Sequence, residues 1–138
     1  MCLIIDKKIK AKKPNKDGFC IGWKLLQDNT VSPYRGYRYK KGMNVATLGH
    51  EPDPNEEIHY GFHLWTTRSS ARVSLKDWNI ISNTNTNFKI IKVYYKPEDV
   101  IAYGKYSQPN HFKENSPAEW FRCVAVKRLT VRSLEGIK

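Results

Sequence analysis

The stretch Phe88-Lys89-Ile90-Ile91-Lys92-Val93-Tyr94-Tyr95 decides the fold of this chain. Its β-branched and aromatic residues (Ile90, Ile91, Val93 and Tyr94) favour extended backbone, where branched and ring-bearing side chains pack well on a pleated surface. We therefore predict a strand over residues 88–95. This strand makes a sheet the expected framework for the rest of the chain.

Further strand candidates lie on both sides of this stretch. They are residues 2–5, Phe19–Leu26, Tyr37–Lys40, Ile58–Trp65, Val100–Tyr103 and Trp120–Val131, the last with a bulge or a change of face at Lys127-Arg128. Thr67 and Ser69 are suitable N-caps for a short helix that runs to about Trp78. Six or seven strands with one or two short helices predict an α+β, mostly β fold, built on an antiparallel or mixed twisted sheet.

The composition fits a single domain over residues 1–138, with 40% hydrophobic and 12% aromatic residues. Six lysines fall within Lys7–Lys16, and the Asp17-Gly18 turn signal follows them. These residues predict a basic loop or arm over residues 7–18.

The order of apolar and basic segments bears on location. The apolar runs are far shorter than the ~20 residues that a membrane-spanning helix needs. The apolar Leu3–Ile5 precedes the basic stretch, whereas a secretory signal has its positive charge first. We therefore expect a cytoplasmic protein that does not enter a membrane.

The charge is strongly positive, with 24 Lys and Arg against 13 Asp and Glu, a formal net charge of +11. Four of the carboxylates (Glu51, Asp53, Glu56 and Glu57) fall within residues 49–57, so the remaining surface is more basic than the average suggests. Such a charge predicts attraction to nucleic acid or other polyanions.

Residues 34–42, Tyr-Arg-Gly-Tyr-Arg-Tyr-Lys-Lys-Gly, interleave three tyrosines with four cations. Aromatic rings can stack on bases while cations neutralise phosphates. The candidate nucleic-acid or phosphate-binding residues are therefore Arg35, Arg38, Lys40, Lys41, Tyr37 and Tyr39, with Lys10, Lys12 and Lys13 from the basic arm. Tyrosines on one face of a strand are also typical of a protein core, and that interpretation stays open.

Histidines and cysteines are the other candidates for chemistry. His59 and His63 are four residues apart, which in a strand separates them by roughly 13 Å, too far for one metal ion unless Gly61 bends the strand. Cys2 would be an N-terminal nucleophile only if Met1 were removed and the strand at residues 2–5 left it accessible. The wide spacing of Cys2, Cys20 and Cys123 predicts reduced thiols. We expect no catalytic residues, no metal and no cofactor.

Two resemblances follow from these motifs. Tyr34-Arg35-Gly36-Tyr37, Gly61-Phe62-His63 and the strand at Cys123–Val126 resemble a group of small phage and bacterial proteins of uncharacterised function, with a Tyr-x-Gly-Tyr and Gly-Phe-His layout. The resemblance spans most of the chain. It implies a phage protein acting in the host cytoplasm, for which an anti-defence role would be natural.

The second resemblance is to the ADP-ribosyltransferase scaffold. Arg35-Gly36 and the segment from Phe62 to Ser69 are similar to the family's Arg-Gly strand and Ser/Thr motif, while Glu98 and Glu119 are the positions available for its glutamate. The resemblance implies a nucleotide pocket formed by Arg35, His63, Trp65 and Thr67.

Three hypotheses result. The first is a non-enzymatic module that binds nucleic acid, or a nucleic-acid-bound host complex, through a Tyr/Arg/Lys face. The second is a protein that uses or sequesters NAD-derived nucleotides. The third is a protein–protein surface for an acidic host protein, since aromatic and arginine enrichment also suits interface hot spots.

Overall fold

A computed structural model describes residues 3–27, 29–32, 37–46, 57–58, 61–81, 87–106 and 122–136. These residues form one antiparallel sheet, one α-helix and a short 3-10 turn at Pro97–Asp99. The strands are β1 Leu3–Ile5, β2 Cys20–Gln27, β3 Gly42–Val45, β4 Glu57–Ile58, β5 Phe62–Trp65, β6 Phe88–Tyr95, β7 Val100–Tyr106, β8 Arg122–Val126 and β9 Arg128–Val131, and the helix is α1 Arg68–Ile81.

The order across the sheet is β3-β9-β6-β2-β5-β8-β7-β1-β4. The prediction of a mostly β fold on an antiparallel sheet is confirmed in outline. The predicted number of six or seven strands is too low, because eight described strands have three or more residues and the two-residue β4 extends the sheet further.

β6 occupies the residues predicted for it and pairs along its whole length with β2, from Cys20 opposite Tyr95 to Gln27 opposite Phe88. Side chains alternate across a strand, so β6 sends Ile91, Val93 and Tyr95 to one face and Phe88 and Ile90 to the other. Each set joins a separate buried cluster. The strand that the sequence indicates most clearly therefore has a hydrophobic core on both sides.

The first cluster lies on what we call the inner face of the sheet. Distant strands contribute to it: Leu64 from β5, Val126 from β8, Val93 from β6 and Leu129 from β9. β8 and β9 are separated by Lys127 alone in the sequence, yet three strands lie between them in the sheet. The sheet therefore folds over, and its two halves bury a shared core.

Asp99 fixes the corner at which the chain turns from β8 into β9. Its main-chain oxygen accepts a hydrogen bond from the Lys127 N–H at 2.9 Å. Its carboxylate accepts from the Arg128 guanidinium, at 2.9 Å from Nε and 2.7 Å from Nη2. The predicted bulge or change of face at Lys127-Arg128 is thus a corner, after which the inward-facing residues shift from even to odd numbers.

The second cluster lies on what we call the helix face, where α1 packs against β2, β5 and β6. Trp65, Ala71 and Ile90 are buried there. The Thr67 hydroxyl accepts a hydrogen bond from the Ser70 N–H at 3.1 Å, which confirms Thr67 as an N-cap. The helix runs to Ile81, a little beyond the predicted end near Trp78.

Two lysines bridge β2 and β5, which pair at one position, Trp23 opposite Trp65. Lys12 Nζ donates to the carbonyl oxygens of Ile21 at 2.9 Å and Thr66 at 3.0 Å. Lys24 Nζ donates to the carbonyl oxygen of His63 at 2.9 Å. The ammonium groups thus supply donors where the ladder between these strands is short.

We predict that Lys12→Met destabilises the fold by about 1–3 kcal/mol, since two partly buried carbonyl groups lose their donor. Urea unfolding followed by circular dichroism measures the change. Lys13→Met is the matched control, because Lys13 is exposed and next in sequence. Equal stability of the two variants would show that the Lys12 contacts contribute nothing.

The prediction of a strand over Tyr37–Lys40 is wrong. Arg38 forms only an isolated bridge to Val31, and the regular strand β3 begins at Gly42. The main chain of Tyr37 and Tyr39 bonds that of Ser32 and Thr30, and the buried side chain of Asn44 fixes the residues that follow. Its Nδ2 donates to the carbonyls of Lys40 at 2.8 Å and Gly42 at 3.2 Å, and its Oδ1 accepts from the Lys40 N–H at 3.1 Å. These bonds satisfy the backbone locally and hold a tight loop in place of a ladder.

Candidate nucleic-acid interface

The structure places Tyr39 in the core and Tyr37, which is partly buried, against it. Tyr39 is 3% exposed, and burial raises the pKa of its hydroxyl. The rings of Tyr37 and Tyr39 lie 5.0 Å apart, and each contacts Phe62, at 5.0 and 5.4 Å. Tyr39 therefore offers no face for base stacking, and the core interpretation of this tyrosine is correct.

The structure describes three of the four cations of the same segment. Arg38, Lys40 and Lys41 are exposed, and Arg35 lies outside the described residues. Of the two predicted tyrosines, Tyr39 is buried and Tyr37 is partly buried against Phe62, so neither presents a fully exposed ring to these cations.

The lysines of the basic arm differ in their exposure. Lys10 and Lys13 are exposed, whereas Lys12 is partly buried and its ammonium is bonded to two carbonyl groups. Burial lowers the pKa of Lys12, with the neighbouring Cys20 acting in the opposite direction. The Lys12 ammonium is thus held by contacts within the fold, and its role as a phosphate ligand stays a prediction.

The structure describes three of the four residues predicted for a nucleotide pocket, and the pocket itself stays a prediction. His63 is 5% and Trp65 4% exposed. They share the face of β5 that Phe62 does not, so they lie on the opposite side of the sheet from the tyrosines. Thr67 caps α1, and Arg35 is outside the described residues.

The sequence also led to predictions about a metal site, the cysteine thiols and a membrane-spanning helix. No group of three or more His, Cys, Asp or Glu side chains in the described ranges could hold a metal ion, and His59 and Cys2 lie outside those ranges. Cys20 and Cys123 are buried and form no disulfide among the described residues, and burial raises the pKa of both thiols. A raised pKa keeps a thiol protonated and unreactive.

Among the described helices, none is long and apolar enough to cross a bilayer.

A different set of aromatic and cationic side chains does come together on the helix face. α1 covers the half of β2 and β6 around Leu25 and Ile90 and leaves the other half open. We call the open half the basic–aromatic surface. It consists of Phe19, Trp23, Lys92, Tyr94, Lys96 and Arg132, which range from partly to fully exposed.

The cations of this surface lie close to its aromatic rings. The Arg132 guanidinium lies 3.8 Å from the centre of the Tyr94 ring and 5.9 Å from that of Phe19. Lys92 Nζ lies 5.6 Å from the Tyr94 ring and 5.9 Å from the Trp23 ring, and Lys96 Nζ lies 5.7 Å from the Phe19 ring. Attraction between each cation and the electron-rich ring faces orders these side chains at the surface.

The local sequence explains this arrangement. Alternation along β6 puts Lys92 and Tyr94 on the helix face, and the pairing with β2 sets Trp23 opposite Lys92. Thr130 of β9 lies opposite Tyr94, so Arg132, two residues further on, is on the same side. Sequence reasoning missed the site because Phe19 and Arg132 reach Tyr94 only through long-range strand pairing, although the Lys92-Val93-Tyr94 alternation was a visible signal.

The three cations of this surface keep their charge available. Among the described residues, Lys92, Lys96 and Arg132 form no salt bridge, whereas Arg128 nearby is paired with Asp99 at 2.7 Å. No protein-family model, no curated protein and no solved structure matches the chain. Both resemblances drawn from the sequence stay predictions.

Proposed function

We propose that the protein is a non-enzymatic nucleic-acid-binding module whose contact face is the basic–aromatic surface. The observation that carries this proposal is the stack of the Arg132 guanidinium on the Tyr94 ring at 3.8 Å, flanked by Lys92 and Lys96. Cations and aromatic rings side by side are the two components that single-stranded nucleic-acid sites combine.

Each component has a physical role. Lys92, Lys96 and Arg132 neutralise backbone phosphates and release counterions, which gives affinity without sequence preference. The Arg132 guanidinium, which covers one face of the Tyr94 ring at 3.8 Å, and the Phe19 ring provide surfaces on which bases stack. The net charge of +11 draws a polyanion toward the protein from outside contact distance.

The test is the salt dependence of binding to a fluorescently labelled single-stranded oligonucleotide, measured by anisotropy. Three phosphate contacts predict that log K falls with log salt concentration with a slope of about −2. Absence of binding at about 50 mM salt, where such contacts are strongest, would overturn the proposal. An acidic protein partner or a free nucleotide would then be the ligand class to pursue.

A further inference from the structure

A cavity of about 160 Å³ opens beside the basic–aromatic surface. Phe19, Tyr94 and Lys96 belong to both, and Glu98 and Thr130 add polar groups. The cavity is smaller than the roughly 300 Å³ at which sites for drug-sized ligands begin. It suits one planar heterocycle and is too small for a dinucleotide such as NAD.

The cavity walls suit a flat aromatic guest. The rings of Phe19 and Tyr94 meet nearly at right angles, with an interplanar angle of 87° and centres 6.4 Å apart. Arg132 covers one face of the Tyr94 ring at 3.8 Å, so a base in the cavity stacks on Phe19 and meets Tyr94 nearly at right angles; both contacts are favoured aromatic geometries. A base within a duplex has both faces stacked already and cannot enter such a corner.

The polar groups indicate which bases fit. Within the described part of the chain, Glu98 forms no salt bridge and the Thr130 hydroxyl forms no side-chain hydrogen bond, whereas the Asp99 carboxylate is engaged by Arg128. A carboxylate accepts hydrogen bonds from the exocyclic amino groups of cytosine, adenine and guanine. Thymine and uracil offer a carboxylate only their N3–H, and the two carbonyl oxygens on either side of it repel the carboxylate.

We propose that this cavity takes one unstacked, amino-bearing nucleobase, so that the protein prefers single strands containing such bases to duplexes and to thymine or uracil tracts. This inference rests on the proposed nucleic-acid-binding function and adds base selection to it. Glu98 is the residue that selects, and Phe19 and Tyr94 form the stacking corner.

The test compares the wild-type protein's affinity for (dC)12, (dT)12 and a 12-base-pair duplex by anisotropy at neutral pH. We expect (dC)12 to bind about five-fold more tightly than (dT)12, the effect of one hydrogen bond of ordinary strength, and the duplex to bind more weakly than (dC)12. Glu98→Ala removes a surface carboxylate and should bring the (dC)12 to (dT)12 ratio close to one without weakening (dT)12.

Glu135→Ala is the matched control, because it removes one exposed carboxylate that does not line the cavity. It should keep the five-fold ratio. Thr130→Val tests the second polar group with no change in charge, and we expect it to reduce the ratio. Salt-dependent binding with equal affinity for all three ligands would overturn the base-selection inference alone, whereas absence of any binding would overturn the proposed function with it.

Discussion

Replacing Lys92, Lys96 and Arg132 together by alanine is expected to weaken binding to single-stranded DNA roughly 100-fold at about 50 mM salt. Each phosphate contact releases counterions when it forms. Losing three contacts should therefore make the slope of log K against log salt concentration less negative by about two. Loss of the guanidinium from Tyr94 removes a stacking surface as well. Anisotropy titrations at several salt concentrations give both quantities.

Two matched triple variants locate the effect. Lys7, Lys8 and Lys16 are exposed lysines of the basic arm, so their replacement by alanine removes the same charge from another place. We expect that variant to lose only a few-fold in affinity. The triple change of Arg38, Lys40 and Lys41 tests the segment that the sequence favoured. If either variant lost more affinity than the change at Lys92, Lys96 and Arg132, the contact face would be misplaced.

Asn44→Ala is expected to destabilise the fold by about 2–4 kcal/mol, the largest stability effect of any single polar substitution we predict. The Asn44 side chain is fully buried and bonded to the Lys40 N–H, the Lys40 and Gly42 carbonyls and, at 3.2 Å, the Tyr37 hydroxyl. Alanine removes every one of these partners and leaves the main-chain groups without replacement donors or acceptors.

The substitution should also loosen the packing of Tyr37 on the rings of Tyr39 and Phe62, because the Tyr37 hydroxyl bonds Asn44. Urea unfolding gives the stability change, and near-ultraviolet circular dichroism reports the packing of the rings. Asn87→Ala, at an exposed asparagine, is the control and should change neither signal. A variant at Asn44 as stable as this control would mean that the loop does not depend on the buried amide.

Local patterns predicted those parts of the fold whose causes are local. The β formers of residues 88–95 gave the bounds of β6, and a hydroxyl three residues before Ser70 gave the start of α1. Phe19–Leu26 matched β2 to within one residue at each end. These elements need no knowledge of distant residues, because alternation and capping act over a few positions.

The loop at residues 37–42 could not be predicted in the same way. Its tyrosines and cations alternate as a strand would, and the pattern predicted one face for packing and one for charge. In the structure the main chain of Tyr37 and Tyr39 bonds that of Ser32 and Thr30, and the buried Asn44 side chain bonds the main chain of Lys40 and Gly42. The rule that polar residues favour the surface gives no hint of a fully buried asparagine.

The composition of the candidate site could not be predicted from local sequence either. An aromatic and cationic surface was a sound expectation from a basic, aromatic-rich chain, but the residues that compose it were not those adjacent in sequence. Arg132 contacts Tyr94 because β9 pairs with β6, a pairing of sequence-distant strands that periodicity does not reveal. Tyr37 and Tyr39, the obvious aromatic candidates, serve the core instead.

Ultraviolet crosslinking of the protein to single-stranded DNA, followed by mass-spectrometric mapping, tests the central claim most directly. Stacked aromatic residues crosslink to the bases they touch, so the proposed face predicts adducts at Phe19, Trp23 and Tyr94. Tyr39, which is buried, should remain unmodified. Adducts confined to residues away from the basic–aromatic surface would contradict the account.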